Sequence, residues 1–113
     1  MIKERALSSR HDQSIEYAMS VLLGDYSDYL QEIRLFGSCA RGQQRYRSDV
    51  DLLIVVSEGT PPRIMRQMRA AATPEDDTLP AVDLKFSTGP EYSTSTQFNR
   101  NIVEEGRTLW TKA

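Results

Sequence analysis

Between Ser9 and Gly24 the apolar residues Ile15, Ala18, Met19, Leu22 and Leu23 recur at the spacing of one helix face. Ser and Asp residues ahead of them can cap a first turn, so the pattern predicts a helix with one buried stripe, closed near Gly24. Tyr26, Tyr29 and Leu30 leave room for a short turn. Ile33 to Phe36 reads as a short strand halted at Gly37-Ser38, and Cys39 to Gln44 as the start of a helix or a tight loop. Val50 to Val56 is the clearest strand. Leu52 to Val56 is an unbroken apolar run, typical of a strand buried on both faces and therefore central in its sheet.

Thr60 before Pro61 predicts an N-cap with proline in the first turn, and Ile64, Met65, Met68 and Ala72 give the helix that follows an apolar side. Thr73 to Thr78, with Pro74 and three consecutive acids, reads as a solvent loop. Leu79 to Phe86 is a third strand. Gly89-Pro90 opens a last helix expected to run to Glu105 and stop at Gly106 as a C′ glycine. Arg107 to Trp110 either adds a short final strand or packs down. The order is helix, strand, strand, helix, strand, helix. Strands that follow one another directly favour an α+β fold, a small mixed β-sheet flanked by helices, over a doubly wound parallel sheet. With 113 residues the expectation is one domain over 1–113, built on one core.

Composition narrows the function. The charged fraction of 27% and apolar fraction of 39% are those of an ordinary globular chain. No run approaches the ~20 apolar residues of a membrane span, and Met1 to Arg5 leads into polar residues rather than a signal core. One cysteine cannot form an internal disulfide, which fits a cytoplasmic setting. A net charge of −2 argues against gripping a nucleic-acid backbone. Arg41, Arg45 and Arg47 are nevertheless grouped closely enough to serve a small polyanion such as a triphosphate.

The chemistry concentrates in Leu35-Phe36-Gly37-Ser38-Cys39-Ala40-Arg41-Gly42 and in Ser48-Asp49-Val50-Asp51-Leu52-Leu53. Side chains two apart in a strand share a face, so Asp49 and Asp51 project together. Carboxylates held that close repel unless a cation sits between them, and Mg²⁺ is the natural guest. A glycine ending the preceding strand lets a phosphate approach the backbone, with the Ser38 hydroxyl as a donor. Asp83, flanked by Val82 and Leu84 that face the core, points toward the same cleft if its strand neighbours that of Asp51. Three carboxylates around one or two Mg²⁺ ions suit in-line phosphoryl transfer.

Gly-Ser, ten residues, then Asp-x-Asp resembles the nucleotidyltransferase superfamily with a DNA polymerase β-like (palm-like) core. Background frequencies produce that skeleton on the order of once in 10³ chains of this length, and Phe36, Ala40-Arg41-Gly42, Ser48 and Leu52-Leu53 sharpen it. The closer resemblance is to the minimal nucleotidyltransferases, or MNT proteins, and extends through Ile102-Val103-Glu104-Glu105-Gly106-Arg107-Thr108-Leu109-Trp110. It implies that Asp49 and Asp51 bind both metals and that Asp83 joins the catalytic metal and helps activate an acceptor hydroxyl. Gly37 and Ser38 would hold the β- and γ-phosphates of ATP, with Arg41 and Ser48 beside them. Many such proteins are antitoxins encoded next to a HEPN-domain ribonuclease toxin, and some silence it by attaching AMP to a tyrosine. Lys85 on the face of Asp83, and the polar stretch Ser93 to Gln97, depart from the family pattern.

Bland readings stand beside these. The stripe Arg63, Arg66, Arg69 fits a solvated helix face better than a docking surface. Cys39 reads as a loop filler and His11 as a capping or exposed residue, while Met65, Met68 and Trp110 read as core. The chain has about enough residues for the catalytic core alone, so the acceptor is expected on a separate protein, in a hetero-oligomer with a toxin. The rivals are an antitoxin that masks its toxin without catalysis, and an enzyme acting on a small hydroxyl compound, as aminoglycoside nucleotidyltransferases do.

Overall fold

The computed structural model describes residues 9–42, 48–88 and 106–112. Helix α1 (Arg10–Asp25) leads through a 3-10 turn (Ser27–Tyr29) into strand β1 (Leu30–Phe36) and the one-turn helix α2 (Gly37–Arg41). Strand β2 (Val50–Val56), helix α3 (Pro62–Ala72) and strands β3 (Val82–Ser87) and β4 (Arg107–Thr111) follow. The sheet order is β3-β2-β1-β4. β1 runs antiparallel to β2 and β4, whereas β2 and β3 are parallel. The sheet is small and mixed, with helices packed on it, as the sequence predicts.

α1 begins where its cap dictates. The Ser9 hydroxyl accepts from the Asp12 amide at 3.0 Å and the Asp12 carboxylate accepts from the Ser9 amide at 3.2 Å, a reciprocal cap on two otherwise orphan donors. The helix closes at Asp25, next to Gly24 as expected, and Tyr26 caps it by donating to the Leu22 carbonyl.

Ala18 and Leu22 of α1 and Ile64, Met68 and Ala72 of α3 meet one sheet face. That face is built from Leu30, Ile33, Leu35, Val50, Leu52, Ile54, Val56, Val82 and Leu84. At about 25 cal/mol per Å² of apolar area removed from water, this contiguous layer is the main stabilising term. On the other face Leu53 and Val55 are buried with Phe36 against them, so β2 is covered on both sides. This central place matches its unbroken apolar run.

Three boundaries differ from expectation. β1 starts three residues early, at Leu30, because a bulge between Leu30 and Glu32 breaks the period-two pattern that would reveal it. β3 begins at Val82 rather than Leu79, since the Leu79 amide closes a turn onto the Asp76 carbonyl. Thr60 does not cap α3. Its hydroxyl donates back to the Ser57 carbonyl, and Pro61 holds the cap position with Pro62 as the first helical residue. β4 settles the fate of Arg107 to Trp110: it is a strand pairing with β1, with Trp110 packed on the core and Arg34 reaching the Thr108 hydroxyl at 2.6 Å. The predicted helix from Gly89 to Glu105 lies outside the described residues. Among those described, no helix is long and apolar enough to cross a membrane.

Candidate active site

Alternation within β2 and β3 decides where the acids go. Val50, Leu52, Val82 and Leu84 turn into the core, so Asp51 and Asp83 emerge on the opposite face. The parallel register sets Asp51 directly across from Asp83, and both are half-buried. Asp49 stands one residue ahead of β2 and is exposed. Among the described residues no three carboxylate, imidazole or thiolate groups converge on one metal-sized point. The Asp83 carboxylate leans instead on the Lys85 ammonium at 3.5 Å.

The other half of the motif comes from β1. Phe36 pairs with Asp51, so the next residue, Gly37, abuts the Asp51 side chain. Gly37 has φ +75°, which turns the chain from β1 into α2. A Cβ there would clash with Asp51 Oδ2 and stand 3.2 Å from its Cγ. Gly37 is thus required by its backbone and by its neighbour together. Ser38 follows in the first turn of α2, which has no side-chain cap, leaving its amides available to an outside acceptor. α2 ends at Gly42, φ +72°. The side chain of Arg41, and Arg45 and Arg47 altogether, lie outside the described residues.

Cys39 is half-buried in α2, with its thiol 3.8 Å from the Asp49 carbonyl. Burial pushes its pKa up, the charges of Asp51 and Asp12 push the same way, and a hydrogen bond with Ser38 pulls weakly against them. A thiol kept protonated is a poor nucleophile; Cys39, expected as a loop filler, instead sits in helix α2 and packs against the main core.

The sequence reading placed His11 at a cap or in solvent, and it is neither. It is only 4% exposed, and its Nε2 stands 2.8 Å from the Ser48 carbonyl. A carbonyl can only accept, so that nitrogen carries the proton. The Ser14 hydroxyl, fully buried, donates to the Pro80 carbonyl at 2.7 Å, and Arg10 Nε donates to the Thr78 carbonyl at 2.7 Å. The first turns of α1 therefore hold both the segment ahead of Asp49 and the segment ahead of Asp83. The signal was present: His11 and Ser14 fall on the same helical stripe as Ala18 and Leu22. Ser48, half-buried, is held through this carbonyl beside Asp49.

Comparison with known proteins identifies the family and the fold. The family model described as Polymerase beta, Nucleotidyltransferase matches residues 24–113. No curated protein matches the chain. Among solved structures, a protein from Sulfolobus solfataricus assigned, without proof, as a nucleotidyltransferase is 19% identical with TM-score 0.64, covering 91% of this chain and 82% of its own. A toxin–antitoxin complex with AMP-PNP is similar at 24% identity and TM-score 0.62, over 86% of this chain and 73% of that one. A variant of the toxin–antitoxin pair MntA–HpeT is 28% identical with TM-score 0.59, over 86% and 72%. These likenesses agree with an MNT-type chain. With the family model spanning most of its length, from the end of α1 through β4, this chain belongs to the polymerase β nucleotidyltransferase family.

Proposed function

We propose that this protein is a Mg²⁺-dependent nucleotidyltransferase that moves AMP from ATP onto a hydroxyl of a partner protein, as the antitoxin of a HEPN-type ribonuclease toxin. The observation that carries the reading is the register of Asp51 against Asp83, with bare Gly37 closing on Asp51 from the other side. Hard carboxylate oxygens beside a phosphate-accessible turn suit Mg²⁺, which takes a few carboxylates and fills its shell with water and phosphate. Asp49 and Asp51 would hold it, with Asp83 joining on the acceptor side. When bound, it offsets charge on the triphosphate and on the departing pyrophosphate.

The chain's own residues divide the remaining work. Gly37, the Ser38 hydroxyl and the uncapped amides of α2 donate to the β- and γ-phosphates, which leaves the α-phosphorus facing the acids. The acceptor oxygen attacks that phosphorus as the bond to the bridging oxygen of pyrophosphate breaks, and the hydroxyl proton passes to Asp83. Such transfer is mainly positioning and charge stabilisation. The similar toxin–antitoxin complexes, one of them with AMP-PNP, support an adenine nucleotide and a toxin partner. The HEPN character of that toxin comes from the resemblance to MNT proteins.

The test is label transfer from α-labelled ATP with Mg²⁺ to the co-purified partner, with Asp83→Asn in parallel. Label on the partner that falls at least a hundredfold in the variant is expected. Tight binding to the partner with no label in either protein would replace this reading with masking.

His11 offers a second check. His11→Ala leaves the Ser48 carbonyl without its donor, which is expected to cost about 1–3 kcal/mol in urea unfolding. It is also expected to raise the Mg²⁺ concentration needed for half-maximal transfer, because the Asp49 segment loosens. A variant that loses stability but keeps its metal dependence would make the contact structural only.

A further inference from the structure

The groove between α3 and the outer edge of β3 has the makings of a second site. Pro62, Met65, Arg66, Arg69, Lys85 and Phe86 line an open cavity of about 480 Å³. Pro62, Met65 and Phe86 supply an apolar floor, and two guanidinium groups and an ammonium supply the charge. α3 contains no acidic residue, and no carboxylate lines the groove. Arg69 is partly occupied, donating to the Leu84 carbonyl at 3.2 Å with its guanidinium 5.0 Å above the Phe86 ring. Lys85 reaches Asp83. Arg66 is exposed and has no hydrogen bond or ion pair among the described residues.

The edge itself obstructs one mode of binding. An outer strand can recruit another strand through its free amides and carbonyls. Here the Thr73 hydroxyl engages both the amide and the carbonyl of Val82, at 3.0 and 3.2 Å, and Arg69 takes the Leu84 carbonyl. Thr73 and Arg69 thus occupy three outer polar groups between Val82 and Leu84, which obstructs strand addition there, and the lining side chains give the groove its character. Charge then selects its chemistry. A chain with net charge −2 has no general attraction for an extended polyanion. A local cationic groove over apolar carbon suits a short segment that mixes acidic and apolar or aromatic side chains. Lys85 connects the groove to the site: it lines the cavity and also contacts Asp83, the acid on the side of the sheet away from Gly37.

We infer that this groove docks an acidic segment of the acceptor protein and delivers a neighbouring hydroxyl to Asp83. The inference rests on a protein acceptor, as proposed above. Arg66 forms the new ion pair at the mouth, and Met65 and Phe86 take the apolar side chains. Arg63, one turn back on the same stripe, extends the positive surface toward the partner.

The probe is a fluorescein-labelled random copolymer of glutamate and tyrosine, which carries acidic segments and phenolic hydroxyls. Its binding is read by anisotropy without nucleotide, on the wild type and on Arg66→Glu, Arg66→Lys and Asp51→Asn. Arg66→Glu is expected to weaken binding about tenfold, since attraction becomes repulsion at a rim pair. Arg66→Lys is expected to retain most of it, and Asp51→Asn to leave it in place. With α-labelled ATP, Arg66→Glu is expected to raise KM for the copolymer with kcat kept. Wild-type binding by Arg66→Glu would overturn the inference, as would equal competition from an oligouridylate of matched charge, which would make the groove a nucleic-acid contact. Arg66-dependent binding with no transfer by any protein would uphold the groove and reject the protein-adenylylation reading. Transfer with a KM indifferent to Arg66 would do the reverse.

Discussion

Asp51→Asn is expected to lower AMP transfer by about three orders of magnitude while leaving the protein folded. Asp51 sits where β1, α2 and β3 meet β2. It lies across from Asp83 on one side, beside Phe36 on the other, and under Gly37. An amide keeps the shape but halves the oxygens and removes the charge. The lost charge stabilisation is several kcal/mol for a group acting through a bound metal, and roughly 4 kcal/mol is a factor of about 10³ in rate. The fold itself should survive, because β2 is held by apolar burial on both faces rather than by this carboxylate. Thermal melts in chelator are therefore expected to give Asp51→Asn a single cooperative transition close to that of the wild type. Added Mg²⁺ with ATP should raise the wild-type midpoint and not the variant's, because only a ligand bound to the folded state shifts it. Undiminished transfer by the variant would remove Asp51 from the chemistry. Lost transfer together with a collapsed midpoint would mean that the fold had failed instead.

How much of this could be read from residues alone depended on how local each signal was. Val50 to Val56 was legible because an apolar run needs no partner to identify it, and its end points agree with the structure. The first half of β1 was not, because a bulge shifts Leu30 out of phase with Ile33 and Leu35. Gly37-Ser38 and Asp49-x-Asp51 were legible as a spacing. That Asp83 stands opposite Asp51 was conditional on β3 lying parallel beside β2, and strand adjacency leaves no mark in a hydrophobic pattern. His11 and Ser14 illustrate the opposite failure. Their helical phase announced burial, but polar type argued for solvent, and the carbonyls that satisfy them lie 37 and 66 residues away. Buried polar groups find partners, and those partners are tertiary. The stripe Arg63, Arg66, Arg69 divided in the same way: exposure was legible, whereas the engagement of Arg69 with Leu84 and Phe86 was not.

Gly37→Ala makes the sharper test of the site, because two effects that usually occur apart coincide there. An L-residue at φ +75° is strained by about 1–2 kcal/mol. Gly59, φ +88° in the turn between β2 and α3, would suffer the same strain, yet a Cβ there meets nothing within 4 Å. Gly59→Ala is thus the control for backbone strain alone. At Gly37 the added methyl also occupies the space of the Asp51 carboxylate. Asp51 must swing away, α2 must shift, or both, and either movement separates the phosphate turn from the acids. A misplacement near 1 Å at a positioning site costs on the order of 10² in rate. The expected result is a similar loss of urea stability in the two variants, about 1–3 kcal/mol, with transfer reduced about a hundredfold or more only in Gly37→Ala. Asp51→Asn combined with Gly37→Ala should then lose little beyond Asp51→Asn alone, since both act on one carboxylate. If the two losses multiply instead, Gly37 serves the phosphates independently of Asp51, and the close approach of glycine to carboxylate is packing rather than catalytic alignment.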